Sequence, residues 1–312
     1  MLPARSVTDR VGASSKRMPR PGAAEPIAPP MILPGRTRLS GERRALVTSH
    51  VTSADGTRIA FDRIGEGPPV VLVGGMFCDR QTTRELAERL AHWFSVVNYD
   101  RRGRGESGDT APYAVEREVE DLHALIADVG GAAAVYGHSS GAGLALNAAA
   151  TGSGVARLVL HEPPYGPDDE ESKRYARLLA EDVKAALAED RRADAIKLFM
   201  ADSGMPPEMV ERMSGDPNMH VVAPTMTYDF EVMGDFGGGT IPEDLVRRIR
   251  IPTLVIAGGA SPEFFRNTAA RITEVLPHGS LTVLEGQDHG VRADVVAPVV
   301  AAFLDQARDG TG

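Results

Sequence analysis

The sequence predicts an α/β fold, in which a mostly parallel central sheet carries helices on both faces. From His50 onward, short apolar runs alternate with segments of helical periodicity. The apolar runs are nearly continuous, which is typical of parallel strands that are buried on both faces. No internal repeat interrupts this alternation.

The first predicted elements form a hairpin, after which strands and helices alternate. Residues around Val51 pair with residues 59–64, because Asp55-Gly56 is a strong hairpin dipeptide. A helix over residues 115–129 places its apolar positions on one face. Further strands are expected over residues 69–73, 95–99, 133–136, 155–160, 251–257 and 281–284. Further helices are expected over residues 83–93, from the end of the 133–136 strand to residue 150, and over residues 293–307. Pro298 is expected to bend or interrupt the last of these helices.

One long block departs from the strand–helix rhythm and predicts an inserted helical cap over residues 166–240. The core of the fold is then formed by residues 49–165 and 241–308. Seven of the eleven methionines fall within residues 200–233. Because methionine packs adaptably against varied apolar shapes, these side chains either line a substrate pocket or fill the interior of the cap. The sequence leaves both interpretations open.

The first 48 residues differ in composition from the rest of the chain. They contain nine Lys or Arg against three acidic residues, are rich in Pro and Gly, and lack the apolar core of a secretory signal. We expect a disordered tail, or an overcalled start codon. An organelle-type leader or a docking tail is the alternative.

Composition excludes several classes of protein. The formal charge of −9 argues against a nucleic-acid partner, and no apolar run approaches the roughly 20 residues that a membrane span requires. The single cysteine, Cys78, cannot form an internal disulfide, so a cytoplasmic location is expected. Cys78 is interpreted as a small apolar filler rather than a catalytic thiol.

A catalytic motif stands between a short strand and a helix. Residues 137–141 read Gly-His-Ser-Ser-Gly and match G-x-S-x-G, with Ser139 in the central place and Ser140 after it. Flanking glycines permit a sharp, strained turn that exposes the central hydroxyl. Amides at the start of the following helix face developing negative charge. The alternative is a glycine-rich turn without catalysis, and His138 is interpreted as a packed residue rather than a base.

The sequence resembles the α/β-hydrolase superfamily, as a serine esterase or lactonase, over about residues 50–308. The resemblance implies a serine, an acid and a histidine in that chain order, with His289 as the general base of Ser139. It also implies an oxyanion hole formed by the amides of Met76 and Ser140. Four stretches carry it, residues 71–76, 100–107, 137–141 and 286–290, and residues 100–107 are interpreted as a structural turn tied by arginines and acids.

Two positions depart from the family pattern. Gly74-Gly75 stands where the family often has His-Gly, which removes a side chain that commonly braces the oxyanion loop. Ser261 stands where the acid is usual, after the strand at 251–257. Some members carry the acid after the preceding strand, so Glu162 is the favoured third member. Glu263, Asp288 and a dyad without an acid are the alternatives.

These observations predict a serine hydrolase that cleaves an ester or lactone of a small hydrophobic molecule through an acyl-enzyme. No P-loop, dinucleotide fingerprint or metal-ligand cluster is present in the sequence, so no cofactor and no metal are expected. The same site could instead serve perhydrolysis, C–C cleavage or a biosynthetic cyclisation. A ligand-binding protein without catalysis is the alternative from another class. No nucleic-acid or membrane partner is expected, and a homodimer is left open.

Overall fold

The computed structural model describes residues 48–152, 154–203, 205–290 and 292–305. Within these ranges the chain forms one sheet of eight strands in the order β1-β2-β4-β3-β5-β6-β7-β8. The prediction of a disordered tail lies outside the described residues, apart from Thr48. The strands are β1 Ser49–Thr52, β2 Arg58–Ile64, β3 Pro69–Val73, β4 Ser95–Tyr99, β5 Ala133–His138, β6 Val155–His161, β7 Thr253–Gly258 and β8 Gly279–Leu284.

The sheet is mostly parallel, as predicted. β1 and β2 form the antiparallel hairpin at one edge, and β2 pairs antiparallel with β4. Strands β3 to β8 are all parallel to one another. The hairpin turn contains Asp55-Gly56, where Gly56 has a φ of 87° and the Asp55 carboxylate accepts the Thr57 amide at 2.9 Å. The turn therefore needs glycine for its left-handed backbone.

Helices cover both faces of the sheet. Side chains of β3 alternate between two cores, with Val71 and Val73 facing one and Val70 and Leu72 facing the other. The first core is covered by α2 Val115–Asp128, α3 Ser140–Ala150 and α10 Glu263–Val275, and the second by α1 Arg84–Leu90 and α11 Ala293–Asp305.

Helix α11 runs through Pro298 as one element, so of the bend or interruption that the sequence predicts, the interruption does not occur. Its buried side includes Val296, Ala297 and Val300, which pack into the second core. Tertiary burial of this apolar side therefore outweighs the loss of one helical hydrogen bond at proline.

A set of helices lies between β6 and β7, and we call residues 170–246 the helical insertion. A bridge between Gly166 and Thr240 joins the two chain segments at its base. Its apolar interior includes Met200, Met226 and Phe230. None of the helices among the described residues has the length and apolarity needed to cross a bilayer. The helices of the insertion are α4 Glu170–Ala188, α5 Arg192–Asp202, α6 Pro207–Ser214, α7 Pro217–Val222, α8 Met226–Met233 and α9 Glu243–Val246.

Candidate active site

Ser139 occupies a strained turn between β5 and α3. Its φ of 56° and ψ of −129° lie outside the regions that residues other than glycine ordinarily adopt. The flanking glycines are required by packing. A Cβ at Gly137 would lie 2.3 Å from the carbonyl oxygen of Gly141, and one at Gly141 would lie 2.4 Å from that of Val73. The turn is therefore a tightly packed elbow that presents the Ser139 side chain above the sheet.

The loop after β3 lies directly against Ser139. A Cβ at Gly75 would be 2.9 Å from the Ser139 Cβ and 3.4 Å from its Oγ. Ser139 is half-buried, and its hydroxyl makes no hydrogen bond within the described ranges. In an enzyme without substrate, the bond between a nucleophile and its base is often long or poorly aligned.

Glu162 follows β6 and is fully buried. Its φ of 48° turns the chain sharply, so that the carboxylate faces the end of the neighbouring strand β7. Oε1 accepts the Gly258 amide at 2.6 Å, and Oε2 accepts the His289 Nδ1 at 2.7 Å. Burial by itself raises the pKa of Glu162, but the hydrogen bonds from His289 and Gly258 outweigh burial and hold the pKa below its ordinary value. The carboxylate is therefore ionised at neutral pH.

The hydrogen bond to Glu162 determines the protonation pattern of His289. An ionised carboxylate only accepts hydrogen bonds, so Nδ1 of the neutral ring carries the proton and Nε2 keeps its lone pair. The His289 ring stacks on Phe265 with centroids 4.7 Å apart and lies 4.8 Å from the His138 ring. Its side chain is 39% exposed. The imidazole is thus held in place while Nε2 stays free to act as a base.

His138 also holds the backbone of the histidine loop. Its Nε2 donates to the His289 carbonyl oxygen at 3.0 Å, so the proton of the neutral ring lies on Nε2. Burial, together with the nearby His289, lowers the pKa of His138 to about 4. His138 is therefore neutral at pH 7 and adds no positive charge beside His289.

The other candidate acids do not contact His289. Glu263 and Asp288 are exposed, and within the described part of the chain only Glu162 hydrogen-bonds the His289 ring. Ser261 is buried and lies close enough to lower the pKa of Glu162. However, its hydroxyl makes no hydrogen bond of normal geometry to any described residue. The structure therefore joins His289 to Glu162, the acid after β6, and not to a residue after β7.

Ser140 directly follows Ser139, and Met76 directly follows Gly75, which lies against the Ser139 side chain. Neither the Met76 amide nor the Ser140 amide donates a hydrogen bond to another residue in the ranges that the structure describes. Met76 lies in a turn closed by a bond from the Cys78 amide to the Gly75 carbonyl oxygen at 3.2 Å. Phe77 occupies the left-handed region of that turn, with a φ of 62°. Two free amides beside a nucleophile can stabilise an oxyanion.

A buried charge cluster near the elbow was not identified from the sequence. Asp229 of α8 is fully buried and contacts Ser140, Arg101 and Arg104. The available signal was an aspartate among apolar residues in the short helix Met226–Met233. No group of three His, Cys, Asp or Glu side chains among the described residues is arranged to hold a metal ion.

An eight-stranded, mostly parallel sheet with a serine elbow after its fifth strand is the architecture of the α/β hydrolase fold. A profile described as the Alpha/beta hydrolase family matches residues 70–302. The chain therefore belongs to the α/β hydrolase family.

Similar proteins include hydrolases of several kinds. An α/β hydrolase structure from Sphaerobacter thermophilus is 49% identical, with a TM-score of 0.74, and the match covers 82% of this chain and all of that one. An esterase from Exiguobacterium antarcticum has the same fold at 20% identity and a TM-score of 0.65, over 84% of this chain and all of that one. N-formylmaleamate deformylase from Pseudomonas putida is 40% identical over 37% of this chain and 45% of its own length. The chain thus spans about half the length of the curated relatives it matches.

Proposed function

We propose that the protein hydrolyses an ester or lactone of a small hydrophobic molecule through an acyl-enzyme. Ser139 attacks the carbonyl carbon while His289 Nε2 takes the hydroxyl proton, and Glu162 stabilises the resulting imidazolium. The amides of Met76 and Ser140 hold the oxyanion. The tetrahedral intermediate collapses when the imidazolium gives its proton to the departing alkoxide, which leaves the acyl group on Ser139. Water, deprotonated by His289, then releases the acid.

The observation that carries the proposal is the hydrogen bond of 2.7 Å between Glu162 Oε2 and His289 Nδ1. It supplies an ionised acid, and it leaves a lone pair on the nitrogen that a base must use. A protein that only binds ligands has no need of this pair beside a strained Ser139. Catalysis therefore accounts for more of the arrangement than binding alone.

A hydrophobic substrate is supported by the side chains beside the proposed oxyanion loop. Met76 and Phe77 pack against the apolar interior of the helical insertion. Phe77 makes an edge contact with Phe199, with ring centroids 6.0 Å apart, and Phe199 contacts Phe230. In this proposal, the insertion caps the site, and the side chains of Met76 and Phe77 select apolar acyl or alcohol groups.

Hydrolysis of an N-formyl group is a second candidate for the same site. The 40% identity to N-formylmaleamate deformylase favours it, although that match covers 37% of the chain. Cleavage of a C–N bond would use Ser139 and His289 in the same roles, with the proton delivered to nitrogen instead of oxygen.

Labelling with a fluorophosphonate probe, followed by assays on a panel of esters, lactones and N-formyl amides, tests the proposal. We expect stoichiometric labelling of the wild type, none of Ser139→Ala, and the highest kcat/KM on apolar esters or lactones. Selective turnover of N-formyl amides would favour the second candidate. Absence of labelling in the folded wild type would exclude an acyl-enzyme. Perhydrolysis and C–C cleavage would then have to be assayed separately.

The remaining sequence-based expectations belong to this proposal. They are a small hydrophobic substrate as partner, no nucleic-acid or membrane partner, and a cytoplasmic location, with a homodimer left open. Sedimentation velocity of the purified chain measures the oligomeric state. Cell fractionation of the native host measures the location.

A further inference from the structure

One buried carboxylate binds the Ser140 side of the proposed oxyanion hole directly and the Met76 side through an arginine. Asp229 belongs to α8 of the helical insertion and has no exposed surface. Its Oδ1 accepts the Ser140 hydroxyl at 2.7 Å, and its Oδ2 accepts Arg104 Nη2 at 2.5 Å. Burial raises the pKa of Asp229, but the charges of Arg104 and Arg101 outweigh burial, so the pKa is lowered and the group is ionised.

Arg104 extends this contact to the loop that carries Met76. Its Nη1 donates to the Gly75 carbonyl oxygen at 2.7 Å and to that of Cys78 at 3.4 Å. These two residues are the ends of the turn around Met76, and Gly75 itself lies against Ser139. Arg104 therefore fixes both ends of the turn that presents the Met76 amide.

Arg101 completes the cluster on the other side of Asp229. Its Nη1 donates to Asp229 Oδ1 at 2.6 Å and lies 3.4 Å from the Gly74 carbonyl oxygen. The rest of its guanidinium is held by Glu118 through two bonds, of 2.8 and 2.7 Å. Gly74 stands where the family often has a histidine, so the loop after β3 lacks the side chain that commonly braces it. The two arginines supply the contacts to its carbonyl groups.

We propose that Asp229 is a positioning residue that sets the distance between the Met76 and Ser140 amides. The inference rests on the acyl-enzyme function proposed above. Through Ser140, Asp229 holds the start of α3, and through Arg104 it holds the turn after β3. Because Asp229 lies on α8, the position of the helical insertion is coupled to the geometry of the oxyanion hole. A misplacement of about 1 Å in such a site costs on the order of a hundredfold in rate.

A purely electrostatic role for Asp229 predicts the opposite effect on the rate. Removing its negative charge leaves Arg104 without a carboxylate partner near a developing oxyanion. Extra positive charge stabilises that oxyanion and raises kcat. Positioning predicts that kcat falls while KM changes little, since the interaction is needed only in the transition state. The direction of the change in kcat therefore separates the two roles.

Asp229→Asn is compared with Asp121→Asn as a matched control. Asp121 is also a buried carboxylate, and it accepts two bonds from Arg102, of 2.8 and 2.7 Å. Its cluster makes no hydrogen bond to the Gly74–Cys78 turn or to Ser140 among the described residues. Ser140→Ala is the gentler second variant, since it keeps the backbone amide and removes only the hydroxyl that binds Asp229.

The measurements are kcat and KM on the best ester of the panel, the rate of fluorophosphonate labelling and the melting temperature. All rates are measured below the melting temperature of each variant. We expect both Asn variants to melt earlier. Of the two Asn variants, only Asp229→Asn should lower kcat and the labelling rate, by roughly 10- to 100-fold, and its KM should stay within about twofold of the wild-type value. Ser140→Ala should lower both rates by at least roughly threefold.

Three results would overturn the inference. The first is wild-type kcat in Asp229→Asn, or a kcat raised above it. The second is an equal loss of kcat in Asp229→Asn and Asp121→Asn. If Asp229→Asn does not fold, the third result is a wild-type kcat and a wild-type labelling rate in Ser140→Ala. In all three results the wild type still labels, so the proposed function stands. A wild type that does not label overturns both.

Discussion

The Glu162 carboxylate and the His289 imidazole meet beyond the ends of the parallel strands β6, β7 and β8, with 2.7 Å between Oε2 and Nδ1. Glu162 directly follows β6, and His289 lies on the loop after β8. The left-handed backbone at Glu162 and its bond to the Gly258 amide aim the carboxylate across β7. Glutamate has a longer side chain than aspartate, and this length lets Glu162 reach His289 past β7. An acid directly after β7 would start closer to His289.

The first prediction concerns Glu162→Gln, which keeps the shape of the side chain and removes its charge. We expect kcat to fall at least roughly a hundredfold, because the amide cannot stabilise an imidazolium by charge. Steady-state kinetics on the best ester measures the effect. Ser261→Ala is the control and should retain kcat within about threefold, since the Ser261 hydroxyl makes no normal hydrogen bond to a described residue. A Glu162→Gln variant with near-full activity would mean that the acid is elsewhere or is not needed.

The second prediction concerns Gly75, whose missing side chain leaves room for the nucleophile. In Gly75→Ala, the new Cβ would meet the Ser139 Cβ at 2.9 Å and the His138 carbonyl oxygen at 3.0 Å. We expect fluorophosphonate labelling to slow by roughly a hundredfold, because the loop or the serine must move. Gly237→Ala is the matched control, since a Cβ there has no heavy atom within 4 Å and the site is exposed. Equal labelling rates in the two variants would contradict this expectation.

The fold was predictable from the sequence because buried parallel strands leave a local signal. The apolar runs, the Asp55-Gly56 turn and the elbow glycines each act within a few residues. The pairing of Glu162 with His289 was reached by a different route, from the absence of an acid near Ser261 and a resemblance to known hydrolases. The part that Glu162 plays in catalysis stays a prediction.

Asp229 was not predictable in the same way. Its partners Ser140 and Arg104 lie 89 and 125 positions away in the chain, so no local pattern connects them. The turn at residues 100–107 was expected to bind acids, but the sequence does not say which ones. The course of α11 through Pro298 has the same cause, because burial of its apolar side depends on neighbours that are distant in sequence.

The third prediction concerns the dependence of stability on pH. The pKa of His138 is about 4 in the folded protein, against an ordinary value of 6.5. Between these pH values the unfolded chain binds more protons than the folded one, so stability rises with pH in this window. Its contribution is fully present above pH 6.5 and is lost as the pH falls toward 4. The loss is on the order of 2 to 3 kcal/mol, after allowance for the partial exposure of His138.

Chemical denaturation at several pH values measures this contribution. We expect the free energy of unfolding of His138→Gln to depend less steeply on pH than that of the wild type between pH 6.5 and 4. His92→Gln is the control, since His92 is exposed on the surface beside α1. If His138→Gln and the wild type give parallel curves in this window, burial does not keep the His138 ring neutral in the folded protein.

The last prediction concerns the Phe265 ring, which stacks on His289 at 4.7 Å between ring centroids. The His289 side chain is 39% exposed, so Glu162, His138 and Phe265 must limit its motion against solvent. In Phe265→Leu, we expect kcat to fall roughly tenfold with little change in KM. Without the aromatic stack, the His289 imidazole samples orientations in which it does not face Ser139. Phe264→Leu is the matched control, as its neighbouring ring is 38% exposed and does not stack on His289. If both leucine variants lose activity equally, the effect arises from the start of α10 as a whole. If neither does, the bond to Glu162 is sufficient by itself to orient the imidazole.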